Sequence, residues 1–319
     1  MNICQNIYTG NNINNKIRIL SFKGILADGI PNFGPKYSEY TTRQIKIGNH
    51  DFLTIKSCMT KIFRELHSQV TLAKMINPHE RTKIHILGCS DGSEAFAYGI
   101  IFRTIMGKIS KKNVEILGVD LQKALIEIAK SHCIVCTDKE KSDFVNNNLL
   151  KYSKDIWNKY IKKIQRPKNF DTKISQYPLL RYLEKNEVEK QYIGCGMNWC
   201  RIDSNDLPKI TFKCGDMFSY LKSNPRADNV IFVIANSGGY VSCQGGIEKF
   251  IDIFRQIKLQ NNNKNIYVVL GDGELSYDRI EHNKISQLIQ ELGFKKLYDI
   301  DNCAFPNISS RNKIYKLCR

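Results

Sequence analysis

The stretch Ile84–Asp120, IHILGCSDGSEAFAYGIIFRTIMGKISKKNVEILGVD, decides how the rest of this chain is read. Ile84–Leu87 is a short apolar run, fit for a buried strand. Gly88-Cys89-Ser90-Asp91-Gly92 supplies turn residues, and its two glycines let the backbone approach a ligand with no Cβ in the way. From Ser93 the pattern turns helical, with Phe96, Ile100, Ile101 and Ile105 at helical spacing. Val114–Val119 is a second apolar run, closed by the carboxylate of Asp120.

Strand, glycine turn, helix, strand and acid is how open α/β sheets hold a nucleoside cofactor. Backbone N–H groups at the helix start meet an anionic group of the ligand, and the acid accepts from the ribose hydroxyls. The spacing Gly88-x-x-x-Gly92 departs from the G-x-G-x-x-G of dinucleotide binders, and no Gly-Lys-Ser/Thr follows, as a P-loop requires. The pattern points to S-adenosylmethionine (SAM), with a plain α/β turn as its structural alternative.

The chain has 319 residues, enough for one large domain with a subdomain, and 42% apolar content permits a sizeable core. Forty-eight Lys and Arg against 31 Asp and Glu leave a net charge of +17, so acidic protein, nucleic acid or anionic lipid are natural partners. Part of that charge is compositional, since lysine is frequent throughout an Asn- and Ile-rich sequence. The first residues, MNICQNIYTG, lack the basic-then-apolar order of a signal peptide, and no apolar run approaches 18 residues. A cytoplasmic protein is expected, its 11 cysteines reduced.

Residues 1–50 have strand-like pieces at Ile17–Phe22 and Gln44–Ile47 and are expected to cover the main domain. Residues 52–76, FLTIKSCMTKIFRELHSQVTLAKMI, read as a helix, which sets the expected division at 1–75 and 76–319. A long insert, 132–208, separates the second core strand from the third, Lys209–Cys214. Cys133, Cys136, Cys195 and Cys200 lie within it; a four-thiolate zinc site is one reading, and free thiols with no metal the favoured one. Tyr152–Ile164 reads as a basic amphipathic helix, with Tyr152, Ile156, Trp157, Tyr160, Ile161 and Ile164 on its apolar face. Asn229–Ala235 is the fourth strand, Asn265–Leu270 the fifth, and Phe294–Ile300 with Lys313–Leu317 an antiparallel pair.

Two segments carry a family resemblance. Thr60-Lys-Ile-Phe63-Arg64-Glu65, just ahead of the first core strand, and Ser90-Asp91-Gly92-Ser93-Glu94-Ala95-Phe96-Ala97 resemble the T-x-x-F-R-E segment and the S-T-G-E-E-P-Y-S loop of CheR-type chemotaxis-receptor glutamate methyltransferases. Ser93 replaces the loop's first glutamate and Ala95 its proline. The fourth strand, ending at Asn236 with Tyr240 four residues on, is similar to a further part of that family. The resemblance implies an α/β class I SAM-dependent methyltransferase sheet: mostly parallel, with an antiparallel C-terminal strand, an N-terminal cover and an inserted subdomain that in some members docks a receptor tail. It places Thr60 and Arg64 beside the methionine end of SAM and the transferred methyl, Glu94 on the methionine ammonium, and Asp120 on the ribose. Asp216 and Met217 would meet the adenine. Gly88 and Gly92 would leave room for the cofactor, and Asn236 and Tyr240 would stand at the same edge.

A carboxylate acceptor is already ionised at neutral pH, with an unperturbed pKa of about 4.3 for glutamate, so it needs a cation or donors rather than a base. Arg64 and Tyr240 suit that task and are the candidate catalytic residues. The resemblance, with this chemistry, therefore implies an O-methyltransferase acting on an acidic, receptor-like protein. The alternatives are the same fold acting on a small molecule or RNA, and a non-catalytic SAM-binding module; no nucleic-acid motif is present.

Overall fold

The computed structural model describes residues 42–47, 50–55, 62–64, 66–120, 123–165, 197–221, 226–234, 248, 251–259, 265–270, 287–299 and 313–318. The chain divides into two units, Met1–Lys56 and Ser57–Arg319. In the first, β1 (Thr42–Ile47) pairs antiparallel with β2 (His50–Ile55), from Thr42↔Ile55 to Ile47↔His50. The helix expected over 52–76 is thereby corrected at its start. Phe52, Leu53, Thr54 and Ile55 are aromatic, apolar and β-branched residues that suit a strand.

The second unit is built on a seven-stranded sheet in the order β11-β12-β10-β9-β3-β4-β8. Its strands are β3 (Thr82–Leu87), β4 (Val114–Asp120), β8 (Lys209–Cys214), β9 (Asn229–Val233), β10 (Asn265–Leu270), β11 (Phe294–Asp299) and β12 (Lys313–Leu317). β3 lies at the centre, parallel to β4 on one side and β9 on the other; β12 runs antiparallel between β10 and β11. This is the class I methyltransferase sheet expected from the sequence. Alternate residues sort the core onto two faces. Ile84, Ile86, Ile231, Val233 and Val269 pack on one side, and Leu87, Val230, Phe232, Val268 and Leu270 on the other. Burial on both sides is why these strands read as continuous apolar runs.

Helix α1 (Leu66–Met75) and helix α2 (Ser93–Met106) cover the first face, through Val70, Leu72, Phe96 and Ile100. A helix over 251–258 covers the second with Ile251, Ile253, Phe254 and Ile257. Residues 62–64 form a turn, not the helix expected there: Phe63 adopts φ 60, a left-handed conformation that interrupts a right-handed helix. Its ring stacks on Phe144 with centroids 4.0 Å apart and lies 6.1 Å from Trp157, and burial in this aromatic cluster compensates the backbone cost.

After α3 (Lys123–Lys130) the insert builds its own three-stranded sheet, β5-β7-β6. It comprises β5 (Cys133–Thr137), α4 (Asp138–Val145), α5 (Ser153–Tyr160), β6 (Ile161–Lys163) and β7 (Met197–Ile202). The helix expected over Tyr152–Ile164 is therefore shorter. Ile156, Trp157 and Tyr160 are buried as read, but Tyr152 is 75% exposed at φ 62, and Ile161 belongs to a strand. β7 decides this, because it offers hydrogen bonds to Ile161–Lys163 that a continued helix could not use. Arg103 of α2 fastens the insert, bonding both Asp206 carboxylate oxygens at 2.9 and 2.8 Å while Lys159 meets the same group at 2.8 Å.

Candidate functional site

β3, β4, β8 and β9 run parallel, so their carboxyl ends share one edge. On either side of β3 the chain order runs in opposite directions, which marks the switch point where open α/β sheets bind ligands. The Gly88–Gly92 turn is stitched to β4 at this edge. Gly88 and Cys89 both donate N–H to the carbonyl of Val119, at 2.8 and 2.9 Å, and Ser90 N–H donates to Asp120 Oδ2 at 2.9 Å. Gly92 caps α2 at φ 85, and a Cβ there would lie 2.9 Å from Ala129 Cβ and the Phe212 ring. Glycine is needed at that point on both counts.

The other predicted residues of the edge follow. Asp120 ends β4, and its carbonyl accepts from Gly215 N–H at 3.0 Å, joining it to the end of β8. Asp216 comes next and accepts at its carbonyl from Ser219 N–H, while Met217 opens α6 (Met217–Leu221). Glu94 lies in the first turn of α2, where a carboxylate meets the positive end of the helix dipole. The fold thus brings Gly88, Gly92, Glu94, Asp120, Asp216 and Met217 to one edge. Thr60, Asn236 and Tyr240 lie outside the described residues.

Two buried carboxyl groups give this edge its electrostatic character. Glu94 is 5% exposed and Asp91 is 7% exposed. Burial raises both, Asp91 to about 6 and Glu94 to about 7, and the Arg64 guanidinium acts on each in the opposite direction. Arg64, from the turn before α1, therefore stands within electrostatic reach of both acids. Glu94 Oε1 is buried without a hydrogen-bond partner, whereas Asp91 Oδ1 accepts from Ser93 N–H at 2.9 Å. An acceptor buried in this way is costly unless something fills the place opposite it, and two acids favour a cationic group there.

Asp91 and Glu140 were not among the predicted site residues. Asp91 reads as an ordinary turn residue between two glycines, and only burial sets it apart. Glu140 closes a capping box on α4: its Oε2 accepts from Thr137 N–H, and its own N–H donates to Thr137 Oγ1 at 3.1 Å. The sequence Thr137-Asp-Lys-Glu140 signals that box, but its electrostatic reach to Asp91, which it helps to raise, comes from the docking of the insert. His85 sits within β3. It packs against Phe232 and is lowered to about 4, by burial first and by Lys83 second.

Cys133, Cys136 and Cys200 are free, buried thiols; Cys195 lies outside the described residues. Cys136 and Cys200 share a hydrogen bond across β5 and β7, and it raises the first thiol and lowers the second. Among the described residues no group of three or more His, Cys, Asp or Glu is placed to hold a metal. Likewise, no helix among them is long and apolar enough to cross a membrane.

A parallel sheet with one reversed strand, a glycine turn at the switch point and an acid ending the second core strand define the class I SAM-dependent methyltransferase fold. Residues 58–191 match the family model described as CheR methyltransferase, SAM binding domain. The match covers less than half of the chain, bears out the resemblance read from the sequence, and makes SAM the cofactor of this fold.

Among solved structures, a SAM-dependent methyltransferase from Leishmania major is similar at 12% identity, over 80% of this chain and 72% of that one, with a TM-score of 0.37. The N-methyltransferase NodS of Bradyrhizobium japonicum, in complex with S-adenosylhomocysteine, is similar at 9% identity over 81% and 87%, with a TM-score of 0.38. Magnesium protoporphyrin IX methyltransferase of Synechocystis, with bound SAM, is similar at 10% identity over 80% and 79%, with a TM-score of 0.36. The sequence matches no curated protein.

Proposed function

We propose that this methyltransferase transfers the methyl group of SAM to a carboxylate, with a glutamate side chain of an acidic protein as the acceptor. The observation that supports it is Arg64, whose charge acts on Asp91 and Glu94, the carboxyl groups raised by burial at this edge. In this reading Glu94 takes the methionine ammonium, Asp120 the ribose, Asp216 and Met217 the adenine, and Gly88 and Gly92 keep the turn open. Thr60 and Asn236 complete the cofactor site.

The reaction is an in-line displacement. A carboxylate oxygen of the acceptor forms a bond to the methyl carbon as the carbon–sulfur bond breaks, and the pair of electrons leaves on the sulfur of S-adenosylhomocysteine. No proton has to be removed from an ionised acceptor, so the task is alignment. Arg64 and Tyr240 would hold the acceptor by hydrogen bonds to its oxygens. The net charge of +17 suits an acidic protein partner.

The test is methyl transfer from radiolabelled SAM to acidic proteins of the same cell, followed by mild base. Release of the label as methanol, with turnover lost in Arg64→Met while S-adenosylhomocysteine still binds, supports a carboxyl acceptor. A base-stable product moves the acceptor to nitrogen, a small molecule or RNA. Cofactor binding with no transfer to any class of acceptor supports a non-catalytic module.

A further inference from the structure

The glycine turn carries a carboxylate that the reading above leaves without a task. Asp91 lies between Ser90, whose N–H is held by Asp120, and Gly92, the left-handed residue that starts α2. It is 7% exposed, and its Oδ1 accepts from Ser93 N–H at 2.9 Å. One oxygen is thus spent on holding the turn. Glu94, three residues on, is 5% exposed, and its Oε1 is buried with no hydrogen-bond partner. The Arg64 guanidinium acts on both acids, and both act on Cys89. Two buried acids at one helix start, one with an orphaned oxygen, form an anionic seat that a single cationic ligand group would satisfy.

We propose that Asp91 is a further cofactor-contact residue, forming with Glu94 a two-carboxylate seat for the α-ammonium group of SAM. This rests on the assignment of SAM to the sheet edge. Ser93 stands where a glutamate is found in the similar loop of CheR-type enzymes, and Asp91 supplies a carboxylate from two positions earlier. The charged and titratable groups around the seat are Arg64 from the turn before α1, Glu140 from α4, Asp120 from the end of β4, and the thiols of Cys89 and Cys136, which burial keeps protonated or adds to keeping so. Arg64 favours ionised acids, while burial and Glu140 oppose ionisation of Asp91. A bound ammonium adds to the side of Arg64, so binding draws protons off the seat.

The experiment is calorimetric titration with S-adenosylhomocysteine and with methylthioadenosine, which keeps the adenine, ribose and thioether but has no amino-acid group. Wild type is compared with Asp91→Asn, whose amide oxygen still accepts from Ser93 N–H. The variant should bind S-adenosylhomocysteine about ten- to a hundredfold more weakly, the range of a lost charge-assisted hydrogen bond. Its affinity for methylthioadenosine should stay within about twofold. Between pH 5.5 and 7 the wild-type affinity for S-adenosylhomocysteine should rise with pH more steeply than that of the variant. Equal weakening of both ligands would make Asp91 a structural turn residue and overturn the proposal, as would no weakening of either. If wild type binds neither ligand, the cofactor assignment itself falls and this seat with it.

Discussion

Glu94 is the residue on which the proposed cofactor site turns most directly. Its carboxyl group is raised to about 7 by burial, so near neutrality it titrates where a bound ammonium would hold it ionised. Glu94→Gln should weaken S-adenosylhomocysteine binding about ten- to a hundredfold at pH 7.5, read by calorimetry. Gly92 is the other sensitive position. A side chain there would be strained at φ 85 and would meet Ala129 and Phe212 at 2.9 Å. Gly92→Ala should cost about 2 kcal/mol or more in chemical denaturation and reduce cofactor affinity with it. Gly92 was legible from the turn chemistry, and Glu94 from the resemblance of its loop to that of CheR-type enzymes. Asp91 was not, because the same side chain is a solvated turn residue in most proteins.

At the scale of elements, the seam between the insert and the cofactor domain rests on few side chains. Phe63 is 8% exposed and stacks on Phe144 of α4, and Arg103 clamps Asp206. Phe63→Ala should destabilise the protein by about 3 kcal/mol or more, measured by urea denaturation, since it removes an aromatic from a packed cluster. Asp206→Asn, at a partly exposed pair, should cost about 1 kcal/mol or less, and less again at high salt. The core strands were legible because parallel strands buried on both faces must be apolar throughout. The elements read too long, at 52–76 and Tyr152–Ile164, are those in which apolar spacing suits helix and strand alike. At 52–55 hydrogen bonds to the neighbouring strand β1 made the choice, and at 161–163 those to β7, more than thirty residues further along the chain.

For the whole molecule, the buried acids link stability to pH. Asp91 and Glu94 are raised in the folded state, so between their unfolded values near 4 and their folded values of about 6 and 7 the native protein holds more protons than the unfolded chain. Their contribution to stability is complete in acid and is lost as pH rises through 6 to 7. His85, lowered to about 4 in the fold, acts in the opposite sense between that value and its ordinary 6.5. The two trends oppose one another below pH 6.5, and above it only the acids remain. Thermal melting without ligand should therefore fall from pH 6.5 to 7.5 in the wild type and much less in Glu94→Gln. Saturating S-adenosylhomocysteine should restore the difference in the wild type by binding the ionised state.

What the sequence by itself determined here is the class of the fold and the line of the cofactor edge. Buried strands, a glycine turn and a strand-end acid are local requirements, written in contiguous residues. What only the tertiary structure decided is which charges face one another. Arg64 lies ahead of the sheet, Asp91 and Glu94 at the start of α2, and Glu140 in an insert beyond β4; no spacing in the chain relates Arg64 or Glu140 to the two acids. Packing brings them within electrostatic reach in a place emptied of water, and it is that loss of water, a property of the assembled interior, that turns two ordinary acids into a seat for a cation.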